Sequence, residues 1–125
     1  MIGTSRGVAA VLITLLAAGV ARADGDAARG QAKFGYCAAC HKLEAGENNV
    51  GPSLHGIFAR KAGEIADFRY SPAMKRSGII WTPETLDRFI GDPQATVPAN
   101  RMPYAGMAGA SDRADLIAYL QNATK

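Results

Sequence analysis

The sequence predicts an all-α domain of short helices and long loops, and three observations carry that reading. Cap-and-proline signatures open helices at separate points, apolar residues recur at helical spacing, and strand-like alternation is absent after residue 23. Asp26 can cap a first helix running through Ala27-Ala28-Arg29 to about Cys37, with Phe34 on its buried side. Ser71-Pro72 opens a second, with proline at the first helical position, where no amide partner is needed, and Gly78 ends it. Thr82-Pro83-Glu84 opens a third: Thr82 caps it, and Glu84 meets the positive end of the helix dipole. Leu86, Phe89 and Ile90 then fall at i, i+3 and i+4, and Gly91-Asp92-Pro93 stops the helix. Ser111-Asp112 starts the last, with Leu116, Tyr119 and Leu120 on one face.

Residues 1–23 stand apart from that domain. MIGTSRGVAAVLITLLAAGVARA opens with a cation at Arg6, runs uncharged and apolar from Val8 to Val20, and closes on the small-x-small site Ala21-Arg22-Ala23. The apolar run is short of the about 20 residues that span a bilayer, which disfavours an uncleaved anchor. The reading is an export signal over 1–23 and one domain over 24–125, with the bacterial periplasm as destination and no stable membrane insertion after cleavage. Loss of Arg6 and Arg22 leaves 12 basic against 11 acidic residues and lowers the formal charge of +3 to +1. No arginine-rich stripe or basic run remains, so nucleic acid is not a partner. Export also delivers the chain to an oxidising compartment, where two free thiols tend to pair unless they are used otherwise.

A domain of this size has a small core, and such chains often add a disulfide, a metal or a cofactor. Two segments, 42–69 and 91–110, lack periodicity, and loops of that length are uncommon in a compact domain unless something organises them. The second, GDPQATVPANRMPYAGMAGA, has too little apolar content to pack on itself. Helices with two such loops resemble a shell around a missing object.

The two cysteines of the chain lie in GYCAACH, Gly35 to His41. A thioredoxin-like redox pair needs Cys-x-x-Cys at a helix N-terminus after a strand, whereas this pair sits at a helix end with no strands beyond it. A structural zinc site needs four ligands; only Cys37, Cys40, His41 and His55 are available, and the adjacent Cys40 and His41 fit one tetrahedron poorly. The third reading is a c-type haem, for which Cys-x-x-Cys-His is the attachment signature. The thiols of Cys37 and Cys40 add to the two vinyl groups along one porphyrin edge, and His41 comes under the iron as an axial ligand. A neutral imidazole suits iron, and its other nitrogen can be oriented by a neighbouring acceptor.

The second axial position decides the function. An iron bound on one face could take gas or peroxide; an iron bound on both mainly moves electrons. His55 lies only 14 residues past His41, between Gly51-Pro52 and Gly56, and reads as a turn or wall histidine. Met74 falls inside the second helix, where packing explains it, and Met107 at the end of the loop. Met102 sits amid the aperiodic loop between Pro98 and Pro103, with Gly106 just beyond, which suits a stiff loop held against a flat cofactor.

With those residues in place, the chain resembles a class I cytochrome c of the mitochondrial and bacterial c2 type over residues 26–123. CAACH near the N-terminus, VGPSLHGIFARKAG, YSPAMKRSGIIWTPETLDRFIGDP, NRMPYAGM and DLIAYLQNAT resemble family segments in order and spacing. The resemblance implies the class I cytochrome c fold wrapped around one covalent haem c, with Met102 as the axial methionine. It implies that the Pro52 carbonyl accepts the His41 ring N–H, that Arg60, Tyr70 and Trp81 bond the haem propionates, and that Asn100 stands at another propionate-side position. Gly30 and Phe34 match one side of a packed helix crossing, Leu116 and Tyr119 the other.

The function implied is that of a soluble, monomeric one-electron carrier and not an enzyme. The iron is six-coordinate, and electrons pass through the haem edge near Cys37, Tyr36 and Tyr104. The partners implied are membrane-bound or soluble redox proteins: a cytochrome complex, a dehydrogenase, a terminal oxidase or a photosynthetic centre. The alternative is a haem peroxidase or gas-binding sensor with labile methionine ligation. Positions where mitochondrial relatives ring the haem edge with lysines here read Tyr36, Asn49, Gln94, Ala95, Ala108 and Gly109, while Arg101 keeps its charge, implying less electrostatic steering.

Overall fold

Asp26 begins the helical structure as its position predicts, accepting the Arg29 backbone N–H at 2.9 Å ahead of α1 (Ala27–Ala38). The computed structural model describes Gly3 and residues 24–125, so the export signal expected over 1–23 lies, Gly3 apart, outside the described residues. Polar caps with a proline directly after them then recur. Ser71 Oγ accepts the Met74 N–H at 3.0 Å to open α2 (Pro72–Arg76). Thr82 and Thr85 exchange reciprocal bonds, 3.2 Å from the Thr85 N–H and 2.7 Å from the Thr82 N–H, at the start of α3 (Pro83–Gly91).

The same device occurs once more, where the sequence predicts only a stop. Asp92 accepts the Ala95 N–H at 3.0 Å and starts α4 (Pro93–Thr96), so the segment 91–110 is not wholly irregular. The last helix, α5 (Ala110–Ala123), begins one residue before Ser111, on Gly109 and without a side-chain cap. Asp112 in its first turn pairs instead with Lys33 at 3.0 Å. Extended pairing among the described residues is one isolated antiparallel bridge, Lys61 with Ile80, in keeping with an all-α chain.

The core sits where α5 crosses α1. Gly30 is buried, and a Cβ on it would overlap the Asp115 carbonyl. Phe34 packs on Tyr119 with ring centroids 5.5 Å apart, and Leu116 is fully buried. Arg113 fastens α3 to α5, donating to Asp87 at 2.8 Å and to the Met107 and Ala108 carbonyls at 2.8 Å each.

Asp115 is the buried charge of the crossing. Its carboxylate accepts from Arg29 Nε at 2.7 Å, from Arg29 Nη2 at 3.0 Å and from the Asp26 amide at 2.6 Å. The Arg29 hydrogen bond, then the Asp26 amide, hold its pKa below the ordinary aspartate value against the opposing effect of burial. Arg29 is largely exposed, so water screens the pair from that side. A depressed folded pKa stabilises at pH above the unfolded value of about 3.9 and is lost as pH falls through the folded one. Asp115→Asn should therefore flatten the acid limb of stability, read as urea midpoints stepped from neutral pH downward. An acid limb identical to that of the unmodified chain would remove Asp115 from that role.

Candidate functional site

A cavity of about 310 Å³ opens beside the helix crossing, walled by core side chains that include Leu54, Ile57, Trp81, Phe89, Leu116 and Leu120. Its first wall comes from the end of α1. The His41 and Cys40 amides both donate to the Cys37 carbonyl, at 2.9 and 3.0 Å, so the chain folds back as the helix ends. That turn brings Cys37, Cys40 and His41 onto the cavity together.

The next segment grips the histidine. Gly51 N–H donates to the Cys40 carbonyl at 2.8 Å, and Leu54 N–H to the Lys42 carbonyl at 2.9 Å. His41 Nδ1 lies 2.8 Å from the Pro52 carbonyl oxygen, which can only accept; Nδ1 is therefore the protonated nitrogen and Nε2 keeps its lone pair. Gly51 lies so close to the imidazole that a Cβ would overlap the ring, which is why no larger residue fits there. Burial lowers the His41 pKa below the ordinary imidazole value; the Pro52 carbonyl opposes this and Arg60 adds to it. Burial thus favours the neutral ring, the form in which an imidazole binds a metal.

The thiols are not bonded to each other. Burial pushes the Cys37 pKa up, with Cys40 adding to it, and the pair lies at the negative end of the α1 dipole. A redox Cys-x-x-Cys needs the opposite environment, one that favours thiolate. Zinc fares no better: among the described residues no three of His, Cys, Asp and Glu converge as a metal site.

The second wall is the segment Arg101 to Tyr104, with Met102 on the cavity. Met74 of α2 reaches the cavity as well, whereas Met107 is buried elsewhere, its N–H on the Ile90 carbonyl at 2.9 Å. His55 is exposed and off the cavity, as a turn histidine should be. Tyr70 and Trp81 are on the wall; Tyr70 stacks edge-on against Phe68 at 4.8 Å and Trp81 packs on Phe89 at 5.1 Å.

Arg60 is not among the residues that line the cavity. Trp81 N–H donates to its carbonyl at 2.9 Å, and its Nη1 and Nη2 donate to the His55 and Ser53 carbonyls at 2.8 and 3.1 Å. Its Nε is buried with no hydrogen-bond partner among the described residues. Asn100 does not line the cavity, and its amide hydrogens go to the Pro93 carbonyl at 2.9 Å and the Val97 carbonyl at 3.0 Å.

Gly51, Leu54, Ile57 and Phe68 also line the site, and the sequence does not single them out. The Gly51-Pro52 pair is the available signal: a residue without a side chain next to the carbonyl that orients His41. Together, the residues suit a flat apolar ring with acidic edge groups. The walls are apolar, two thiols and an imidazole share one edge, and Arg60, in electrostatic contact with Tyr70 of the wall, has a guanidinium Nε with no partner among the described residues.

Comparison with known proteins agrees with this chemistry. A family model described as Cytochrome c matches residues 27–124. Cytochrome c2 iso-2 of Magnetospirillum fulvum is 46% identical over 89 residues, 71% of this chain and 93% of the relative. Cytochrome c of Cochliobolus lunatus is 43% identical over 103 residues, 81% of this chain and 95% of the relative. Among solved structures, cytochrome cH from Methylobacterium extorquens superimposes with a TM-score of 0.74 at 42% identity, over 78% of this chain and 98% of that one.

Proposed function

This chain belongs to the cytochrome c family, and on that premise we propose that it carries its electron on a single haem c bonded through Cys37 and Cys40 and ligated by His41 and Met102. The family carries electrons one at a time and turns over no substrate, and it implies a covalently bound haem. The observation behind the residue assignment is that both thiols, the His41 imidazole and Met102 meet on one apolar cavity.

Bound there, the haem supplies an iron that alternates between ferrous and ferric. The residues around it do the rest. Pro52 and Gly51 fix the tautomer and the orientation of His41. Arg60, through its unpartnered Nε, and Tyr70 offer donors toward acidic edge groups. Met74 and Phe89 keep the interior apolar, which disfavours the added charge of the oxidised state and holds the potential positive.

Residues 1–23 are the export signal in this reading, and the periplasm is where the carrier works. Its partners are membrane-bound or soluble redox proteins, met at a rim where Tyr36 is 71% and Val50 65% exposed. A haem peroxidase or gas sensor is not favoured by the family match.

The test is the absorption spectrum of the protein matured in a haem-attaching host, in both oxidation states. Sharp low-spin bands when reduced, with a weak long-wavelength sulfur-to-iron band when oxidised, are expected. A high-spin spectrum, or rapid carbon monoxide binding at neutral pH, would overturn the six-coordinate reading.

A further inference from the structure

We propose that Asn100 is a positioning residue that locks Met102 into the cavity wall. The proposal rests on the reading of Met102 as an iron ligand. Asn100 is only 7% exposed, and each of its polar groups is used inside its own loop. Its backbone N–H donates to the Val97 carbonyl at 3.1 Å, and its carbonyl accepts from Gln94 Nε2 at 3.2 Å. Its side-chain amide donates to the Pro93 and Val97 carbonyls, and Oδ1 accepts the Met102 N–H at 2.9 Å.

The side chain therefore ties α4 directly to the Met102 backbone. Pro93, at the far end of that tie, is fully buried, and α4 is itself capped by Asp92, which ends α3. Among the described residues no other side chain bonds the Met102 backbone; its carbonyl takes the Tyr104 N–H at 2.8 Å. The turn needs this hold. Ala99, the preceding residue, has φ +66°, in the left-handed region that residues other than glycine rarely adopt. Only a primary amide serves here, since it presents two hydrogens to two carbonyls and an oxygen to an amide. Aspartate would set a carboxylate oxygen against the Pro93 and Val97 carbonyls, and threonine would supply one donor in place of two.

The test compares the holoprotein with Asn100→Ala, Asn100→Asp and Asn100→Thr, using imidazole as the competing ligand for ferric iron and amide hydrogen exchange as a readout independent of electron transfer. Imidazole affinity and exchange at the Met102 amide should each rise about tenfold in the alanine variant, the scale of one or two lost hydrogen bonds. The rise should be larger in the aspartate variant and smaller in the threonine variant. Exchange at Phe34 and Leu116, in the α1–α5 crossing, should not change. Unchanged imidazole affinity and Met102 exchange would overturn the proposal, as would equal acceleration at the crossing, which marks general loosening. If the unmodified protein lacks the sulfur-to-iron band, the ligand reading fails, while exchange at the Met102 amide still decides whether Asn100 holds the loop.

Discussion

Replacing Gly30 by alanine is expected to cost about 3 kcal/mol, the upper end of the usual range for overpacking, and to lower Tm by roughly 12–24 °C. A Cβ at this position would overlap the carbonyl of Asp115 and lie 2.8 Å from the Tyr119 Cβ. The obstructing atoms are backbone, or fixed to it, in the middle of α5 and cannot swing aside as a side-chain tip can. Relief requires the helices to part, which opens the Phe34–Tyr119 contact and stretches the bonds from Arg29 and Asp26 to Asp115. Gly35 of the same helix supplies the contrast. It is exposed, with nothing within 4 Å of a Cβ, so Gly35→Ala should stabilise by about 0.5–1 kcal/mol through helix propensity alone. Denaturant unfolding of both holoproteins measures the pair. A loss below about 1 kcal/mol for Gly30→Ala would mean that the helices slide past each other, and that close approach does not fix the crossing.

The elements legible in the sequence are those written in local chemistry. Ser71-Pro72 and Thr82-Pro83 each place a hydroxyl one residue ahead of a proline, and each makes its cap bond within three residues. Asp92-Pro93 carries the same signal, yet it reads as a stop because Gly91 and the end of an apolar face come just before it; one cap can close one helix and open the next. Gly109 gives no signal as the start of α5 because it makes no side-chain cap bond.

The site divides in the same way. Cys37, Cys40 and His41 are neighbours in sequence, and a single turn accounts for their joint presence on one cavity. Gly51 and Phe68 reach that cavity only through long-range folding, which no local pattern encodes. Asn100 marks the limit of a positional match: the resemblance sets it on the propionate side, whereas its bonds to Pro93, Val97 and Met102 within the loop are written in no local pattern.

Removing the Met102 side chain is expected to abolish the sulfur-to-iron band of the oxidised protein, admit carbon monoxide to the reduced one, and lower the potential by on the order of 0.1 V or more, against the about 0.8 V spanned by axial-ligand choice among haem proteins. The control is built into the cavity, because Met74 lines it too. Met74 is buried in α2, with its amide bonded to Ser71 Oγ at 3.0 Å, where helix packing accounts for an unbranched apolar side chain. Met74→Ala should therefore cost about 2–5 kcal/mol of stability from the vacated volume yet keep the band. Met102 is half-buried on an irregular segment, and its neighbour Tyr104 lies within electrostatic range of Cys37 and Tyr36 at the cavity mouth. A core-filling methionine would not require the hydrogen-bonded loop that carries Met102; a ligand would, because its sulfur must be presented at one point. The two variants, compared by spectrum and by unfolding, separate these roles. Should Met102→Ala keep the band while Met74→Ala loses it, the axial position passes to α2, and the bonds that Asn100 makes would serve the loop alone.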